Sequence, residues 1–456
     1  MNGMFKRKAY SKLLDWKTSS QGRSALLVEG ARRVGKSTLV EEFGRREYAC
    51  YAIIDFSVVD DEVKDLFTTQ RNNLDTFFLY LSTYLDAQFV ERDTLIIFDE
   101  VQFFPTARAF IKQLVADGRY DYMETGSLIS IKRNVVSILI PSEEDSLRLD
   151  PLDFEEFLWA MGKDGLAEAA RKSFDESFPL PEAIHRELMR LFREYMLVGG
   201  MPQSVSAYKE AGSLEKADRE KRRILKLYRN DIAKYADGDS GRVMSVFDEI
   251  PSQLSKHEKK FTIAALGESA RMREYSDAFF WLADAHIINN CYNSTDPQIG
   301  LNLYEERTTL KCYMADTGLL VSHVFVDRAS TPNEVYKDIL FGKIGINEGM
   351  LVENVIAQQL RAAGHRLFFF SRHNRNKREE TMEIDFLIVR EYENAAMRAR
   401  VSPVEAKSAS RYSSVSLDKF KAKFGKRVGR QYVLHPKPLK IDGERIYLPL
   451  YMAPFL

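Results

Sequence analysis

The sequence predicts a multidomain α/β protein, and three observations lead to this fold class. The chain has 456 residues, which at roughly 150 residues per domain corresponds to about three domains. The first 160 residues alternate short apolar runs with segments of helical period, as in a mostly parallel sheet with helices on both faces. A second α/β pattern begins near residue 344, after a long helical stretch.

The composition is that of an ordinary globular protein. Hydrophobic residues make up 45% and charged residues 29%, and 66 Lys and Arg balance 66 Asp and Glu, which excludes a disordered chain. The three cysteines lie far apart and form no CxxC pair, so disulfides and a structural zinc are not expected. The chain also lacks a signal peptide core and any apolar run of roughly 20 residues. We therefore expect a cytoplasmic protein with no membrane partner.

Four apolar runs predict the strands of the N-terminal sheet, at 25–29, 51–56, 94–98 and 120–125. The runs at 25–28 and 95–98 do not alternate apolar with polar residues, which is typical of strands buried on both faces. Residues 161–250 carry apolar side chains at three- and four-residue steps and predict a wholly helical region.

A phosphate-binding motif follows the first strand. Residues 30–37 match G-x-x-x-x-G-K-[ST] and precede a helical segment. The glycines let backbone N–H groups turn toward phosphate oxygens, and the helix N-terminus adds partial positive charge. Lys36 is expected to reach the β- and γ-phosphates of ATP, and Ser37 to ligate Mg²⁺. The predicted nucleotide-binding loop comprises Gly30, Ala31, Arg32, Arg33, Val34, Gly35, Lys36, Ser37 and Thr38.

Acidic and hydroxyl residues end two later strands. Asp99 is expected to hold Mg²⁺ through water, and Glu100 to orient or deprotonate the attacking water, so the pair indicates hydrolysis as well as binding. Thr125 and Ser127 end the next strand, where a hydroxyl would lie near the γ-phosphate. For both pairs the alternative interpretation is a helix N-cap, for which these residue types are favoured.

The sequence resembles a family of prokaryotic AAA-like P-loop ATPases whose C-terminal domain of unknown function contains a PD-(D/E)xK nuclease-like core. The resemblance covers nearly the whole chain and rests on segments 30–38, 95–102, 125–127, 151–157, 199–202, 231–233 and 315–318. It implies four domains: an AAA-like P-loop ATPase at 1–160, a helical lid or linker at 161–255, a winged-helix-like domain at 256–330 and a restriction-endonuclease-like α/β domain at 331–456.

The chain departs from the family pattern before segment 151–157. Family members often place Gly-Arg there, whereas residues 140–145 contain no arginine, so an arginine finger is not carried over to this position. Arg148 is the nearest arginine. Because such a finger contributes on the order of 10³–10⁵ in rate, slow basal hydrolysis is expected. An activating protein partner or a second subunit of a homo-oligomer would then supply the missing charge.

Residues 261–293 read as helix, turn, helix and strand, where the resemblance implies a winged helix. Arg271 and Arg273 begin the second helix, the position at which recognition helices contact DNA. The alternative is a packing unit between domains, because nearby acidic residues offset the two arginines.

The C-terminal range carries a second group of acids. Glu405 and Lys407 are two residues apart on a predicted strand and therefore share a face. With Asp385 on another strand and Glu353 on the preceding helix, they resemble the PD-(D/E)xK pattern. The resemblance implies Mg²⁺ or Mn²⁺ held by Glu353, Asp385 and Glu405, with Glu405 and Lys407 acting in catalysis. The alternative is a nuclease-like fold that persists as an inactive binding module.

The zero net charge hides two unlike parts of the chain. Residues 361–456 contain 20 Lys and Arg against 10 Asp and Glu, with basic runs at 371–378 and 419–430. Such clusters predict nucleic-acid backbone binding, although a solvated helix face is the alternative.

The leading hypothesis is an Mg-ATP-binding ATPase coupled to a winged helix and to a nuclease-like domain that binds or cleaves nucleic acid. The rival is a nucleotide-switched protein-interaction or transcription-regulating module in which the nuclease-like domain is inactive.

Overall fold

The structure, a computed structural model, describes residues 4–127, 143–236, 238–256, 258–326, 331–340, 347–373, 380–390 and 400–456. The chain divides into two compact units. The first comprises Met1–Asp150 with Asp284–His286, and the second comprises Pro151–Ala283 with Ile287–Leu456. Within the described ranges, no helix is long and apolar enough to cross a membrane.

The first unit is built on a parallel sheet, of which five strands fall within the described residues. Its strands are β1 (Ala25–Glu29), β2 (Cys50–Asp55), β3 (Thr94–Asp99), β4 (Asp121–Gly126) and β5 (Glu144–Arg148). Their order is β2-β3-β4-β1-β5, and all neighbours are parallel. The mostly parallel sheet predicted from the sequence is confirmed, and β1 to β4 lie within one residue of the predicted runs. Because β4 lies between β1 and β3, the carboxyl ends of these three strands meet at one edge.

Five helices of the described part of this unit connect and cover the strands. They are α1 (Ala9–Ser20), α2 (Lys36–Glu47), α3 (Asp61–Thr69), α4 (Leu74–Tyr84) and α5 (Pro105–Asp117). Much of the apolar core is aromatic: the Phe67 ring makes edge contacts with Phe77 at 5.2 Å and with Phe98 at 5.5 Å between ring centroids. This packing fixes β3, which carries Asp99 at its end.

The described part of the second unit contains eleven α-helices, and the second to sixth of them cover most of the range 161–250 that the sequence predicts to be helical. They are α6 (Phe154–Ala160), α7 (Asp164–Asp175), α8 (Glu182–Val198), α9 (Pro202–Ala211), α10 (Leu214–Tyr235), α11 (Ser240–Ser255), α12 (Met272–Asp284), α13 (Thr317–Val324), α14 (Asn333–Leu340), α15 (Glu348–Ala362) and α16 (Val415–Phe424). The first helix expected in 261–293 is only a 3₁₀ turn, Ile263–Leu266. Gly267 follows this turn directly, and four residues are too few to repay α-helix nucleation.

In the described part of the chain, the sheet of the second unit has eight strands. They are β6 (Ile288–Ser294), β7 (Glu305–Met314), β8 (Phe368–Arg372), β9 (Met382–Arg390), β10 (Arg400–Ala406), β11 (Gln431–His435), β12 (Lys440–Asp442) and β13 (Arg445–Pro449). The order is β12-β13-β11-β10-β9-β8-β6-β7. Ranges 256–330 and 331–456, predicted as separate domains, therefore share one sheet, in which β6 pairs with β8. Their assignments as winged-helix and nuclease-like domains stay predictions.

Three segments that carry the family resemblance meet in the second unit. Gly200 N donates a hydrogen bond to Asp316 Oδ2 at 2.5 Å, and Leu152 N donates to Gly200 O at 2.8 Å. Gly199 has a φ of 80°, and a Cβ there would lie 2.3 Å from Asp316 Oδ1. A glycine is therefore required at position 199 by both backbone angle and space. The hydrogen bonds of Leu152, Gly200 and Asp316 therefore join the three segments to one another.

Candidate functional site

The phosphate-binding loop joins β1 to α2, which begins at Lys36. Gly35, directly before the helix, has a φ of 97°, a conformation that side chains disfavour. At Gly30 space is the constraint, because a Cβ there would lie 2.3 Å from Leu149 O. The two glycines of the motif are thus needed for different physical reasons. Within the loop Ala31 and Val34 are buried, whereas Arg33 and the following Thr38 are exposed and Arg32 is partly buried.

Lys36 lies inside the curled loop with only 5% of its surface exposed. Its Nζ donates hydrogen bonds to Gly30 O at 3.0 Å and to Ala31 O at 3.1 Å. Burial lowers the pKa of Lys36 to about 8, against the opposing effect of the Glu100 and Asp99 charges. The ammonium group is therefore positioned by the same loop whose N–H groups are expected to bind phosphate.

Asp99 joins the loop to two neighbouring strands. Ser37 Oγ donates a hydrogen bond to Asp99 Oδ1 at 2.8 Å, and Thr125 Oγ1 donates to the same oxygen. Glu100 N in turn donates to Thr125 Oγ1 at 3.3 Å. The structure thus brings together four of the predicted site residues at the carboxyl edge of the sheet. Hydroxyl and carboxylate oxygens are hard ligands of the kind that Mg²⁺ prefers, so Ser37 and Asp99 fit a magnesium ion.

Glu100 has a backbone conformation that is unusual for a residue with a side chain. Its φ is 52°, in the left-handed region, and its carboxylate accepts a hydrogen bond from Gln102 Nε2. The side chain does not cap the short 3₁₀ helix Val101–Phe103 that follows. Strained backbone of this kind is concentrated at functional sites. The geometry thus gives no support to the capping interpretation of this residue.

Ser127 and Arg148 are the remaining residues that the sequence indicates as candidates for this site. Ser127 is buried just after β4. Residues 128–142, where any cap by Thr125 or Ser127 would lie, are outside the described residues, as is part of segment 140–145. Arg148, the arginine nearest to the missing finger, forms an ion pair with Asp150 at 2.7 Å.

The C-terminal acids also come together, within the second unit. Glu353 lies on α15, Asp385 on β9 and Glu405 on β10. Asp385 Oδ2 accepts a hydrogen bond from Ala406 N at 2.9 Å, and Lys407 Nζ lies 2.7 Å from Glu405 Oε2. Among the described residues there is, however, no group of three or more His, Cys, Asp or Glu side chains arranged to hold a metal ion.

Sequence reasoning missed Lys311, which lies among these acids. This β7 residue is 1% exposed, and its Nζ lies 2.8 Å from Glu383 Oε1, 3.1 Å from Glu353 Oε1 and 3.9 Å from Asp385 Oδ1. Lys259 forms a second ion pair with Glu353. The available signal was a single lysine in an otherwise apolar run, Leu310 to Met314.

The pKa values of these acids follow from burial and from the lysines. Burial alone would raise the pKa of Glu353, but Lys311 and Lys259 lower it to about 2. Burial and the Glu353 charge raise the pKa of Asp385. Burial also raises the pKa of Glu405 to about 7, although the Lys407 charge opposes this shift. Glu353 is therefore the acid most firmly held as a carboxylate.

The basic segments are only partly described. In segment 371–378, residues 374–378 lie outside the described residues. In segment 419–430, Lys423, Lys426, Arg427 and Arg430 are exposed on α16 and the turn after it. Arg427 forms an ion pair with Asp296 at 2.8 Å. Arg271 and Arg273, at the start of α12, are also exposed.

Three family models match the chain. Residues 22–158 match an AAA domain, residues 189–330 a domain of unknown function (DUF8612) and residues 348–452 a domain of unknown function (DUF4143). No curated protein matches the chain.

Several solved structures are similar to the chain at low identity. The Walker-type ATPase PABY2304 of Pyrococcus abyssi is 16% identical, with a TM-score of 0.41, over 70% of this chain and 96% of that one. The ORC1 protein of Aeropyrum pernix, solved in complex with DNA, is 12% identical, with a TM-score of 0.28, over 71% and 93%. The AAA-domain match, together with the parallel sheet and its loop, supports an ATP-binding, AAA-like P-loop ATPase.

Proposed function

We propose that the protein binds Mg-ATP and hydrolyses it at the carboxyl edge of the parallel sheet. The observation that carries this proposal is the shared hydrogen bonding of Asp99 Oδ1, which links Ser37 of α2 and Thr125 of β4 to the end of β3. Nucleotide binding by itself needs only the loop. The linked acid and hydroxyls indicate that the site also acts on the terminal phosphate.

Each side chain has a distinct role in this reaction. Lys36 and the loop N–H groups bind and orient the phosphates of ATP, which positions the γ-phosphate for in-line attack. Ser37 and, through water, Asp99 would hold Mg²⁺, which when bound neutralises negative charge on the β- and γ-phosphates. Glu100 orients the attacking water or accepts its proton. Thr125 contacts both Asp99 and the Glu100 backbone, and so keeps the two acids in register.

Hydrolysis by one subunit alone is expected to be slow. Arg148 is paired with Asp150, and the loop arginines Arg32 and Arg33 are other sources of positive charge. An arginine supplied by a second subunit or by a protein partner contributes on the order of 10³–10⁵ in rate in related chemistry. Stimulation of turnover by self-association or by a partner is part of the proposal.

Asp99→Asn tests the role of the linking carboxylate. The amide keeps an acceptor for Ser37 but loses the charge that attracts the hydrated metal. Since outer-shell ligands typically contribute on the order of 10–100-fold to metal affinity or activity, we expect turnover to fall by about that factor. Phosphate release measured across a magnesium titration checks this, with the exposed α3 residue in Asp61→Asn as the charge-matched control. A wild-type rate and magnesium dependence in Asp99→Asn would remove this residue from the mechanism.

We further propose, as a second function, that the second unit binds nucleic acid through its basic C-terminal surface. The exposed side chains of Lys423, Lys426 and Arg430 support this, in a range that holds 20 Lys and Arg against 10 Asp and Glu. Clustered cations bind phosphate backbones by releasing condensed counterions. The contacts that Arg271 and Arg273 would make with DNA belong to the same proposal.

Neutralising this surface should weaken nucleic-acid binding and its salt dependence together. The triple variant Lys423→Gln, Lys426→Gln and Arg430→Gln is expected to reduce the slope of log affinity against log salt by about 0.9 per lost phosphate contact on duplex DNA. Fluorescence anisotropy of labelled DNA and RNA at several KCl concentrations measures the slope. Three exposed α10 lysines provide the control, as Lys216→Gln, Lys226→Gln and Lys234→Gln. Equal slopes in both triple variants would instead favour the nucleotide-switched protein-interaction module.

A further inference from the structure

The acid cluster of the second unit consists of Glu353, Glu383, Asp385 and Glu405, and it is nearly neutralised by lysines. Glu383 and Asp385 are two residues apart on β9 and therefore share a face of the strand. Glu353 comes from α15, so carboxylates from a helix and a strand converge on one point. A divalent cation, or another positive charge, is needed to make such a convergence of acids stable.

Lys311 already supplies a positive charge at this point. Lys311 and Tyr313 alternate along β7 with apolar residues and both reach Glu353, whose Oε1 accepts a hydrogen bond from Tyr313 Oη. The Lys311 ammonium lies 2.8 Å from Glu383 and 3.1 Å from Glu353, and Asp385 is within 3.9 Å. An ammonium group in contact with carboxylates from two elements has the arrangement that a bound cation would have.

Other carboxylate oxygens of the cluster are also engaged. Lys259 pairs with Glu353 Oε2, Ala406 N donates to Asp385 Oδ2, and Lys407 pairs with Glu405 Oε2. Mg²⁺ demands about six oxygen ligands near 2.1 Å in octahedral geometry. The residues present do not fit such an ion, because a cation placed among Glu353, Glu383 and Asp385 would be repelled by a buried ammonium group.

We propose that Lys311 takes the place of a divalent cation in this cluster, so that the cluster binds no metal and gives the second unit no metal-dependent hydrolytic activity. The proposal is independent of ATP hydrolysis in the first unit. It also differs from the nucleic-acid proposal, since a domain with a lysine at its centre can still hold a phosphate backbone on its exposed basic surface.

Removing the lysine should convert the cluster into a metal site. In Lys311→Ala and in Lys311→Met, which keeps most of the side-chain volume, the acids lose their central cation, and both variants should melt several degrees below wild type. Mn²⁺ should then raise their Tm in a concentration-dependent manner, because it binds only the folded cluster. Wild type, measured under the same nucleotide-free conditions, should show no comparable shift.

Lys221→Ala is the matched control, because Lys221 is also fully buried in the second unit. Its Nζ donates to Leu197 O at 2.6 Å and to Tyr336 Oη at 3.3 Å, and neither partner belongs to the acid cluster. This variant should lose stability without any rescue by Mn²⁺. Failure of Mn²⁺ to stabilise a folded Lys311→Met would overturn the proposal. The proposal would also be overturned if wild type bound Mn²⁺, or cleaved DNA or RNA in the presence of Mn²⁺, and Asp385→Ala did not. The wild-type measurements decide the matter even if neither Lys311 variant folds.

Discussion

Lys36→Ala should lower ATP turnover by on the order of 10³-fold and weaken ATP binding at the same time. Removing one group that stabilises developing transition-state charge typically costs 10²–10³ in rate. Here the ammonium group also organises the loop through its bonds to Gly30 O and Ala31 O, so its loss affects the binding of phosphate as well as the reaction. Calorimetric titration with ATP and steady-state phosphate release measure the two effects.

A matched control for this variant is Lys12→Ala, on the exposed face of α1 in the same unit. It also removes a lysine side chain, but outside the phosphate-binding loop, and should leave both ATP affinity and turnover unchanged. Wild-type ATP affinity in Lys36→Ala, with an intact fold, would place the nucleotide somewhere other than the phosphate-binding loop.

Glu100→Gln should preserve ATP binding and slow hydrolysis by on the order of 10²–10⁴-fold, the range that general bases contribute. Glutamine has nearly the same shape and still accepts a hydrogen bond, so the neighbouring strand ends should be undisturbed. What it cannot do is accept the proton of the attacking water. The variant should therefore remain bound to ATP. Extraction of the bound nucleotide after incubation with Mg-ATP would detect this complex.

The exposed residue Glu91 offers the corresponding control as Glu91→Gln. This substitution changes the same charge in the first unit and should not affect turnover. If Glu100→Gln hydrolysed ATP at the wild-type rate, another group would have to activate the water. If it lost ATP binding, Glu100 would instead be a structural residue of the strand end.

The N-terminal sheet could be predicted well from sequence because its signals are local. Runs such as 95–98 are apolar without alternation and are followed by acidic residues, so both the type and the ends of the strand are fixed by neighbouring residues. The exception is β5, whose sequence Glu-Asp-Ser-Leu-Arg is polar. It lies at the edge of the sheet, where β1 is its only partner among the described strands and little apolar surface is required.

The second sheet could not be predicted in the same way. The pairing of Tyr292 on β6 with Phe368 on β8 joins segments far apart in the chain. No local pattern specifies that contact. The change in periodicity along the sequence therefore predicts a domain boundary near residue 330. Only the structure places the β6–β7 pair next to β8, in the same sheet as the strands that carry Asp385 and Glu405.

The two candidate sites differ in how completely the sequence predicts them, and the reason is again whether the signal is local. The phosphate loop is a contiguous motif, so all its residues could be named from the sequence. The acid cluster depends on Lys311, which reaches Glu353 and Glu383 only through tertiary packing. A lysine within an apolar strand indicates a buried ion pair, because an unpaired ammonium group is too costly to bury. The sequence does not identify its partners.

ATP hydrolysis at the phosphate-binding loop is tested most directly by phosphate release under single-turnover conditions. Wild type, Lys36→Ala and Glu100→Gln would each be mixed with radiolabelled Mg-ATP, and bound nucleotide and free phosphate followed together. We expect binding and release in wild type, neither in Lys36→Ala, and binding without release in Glu100→Gln. Equal phosphate release by all three proteins would contradict the assignment of this site.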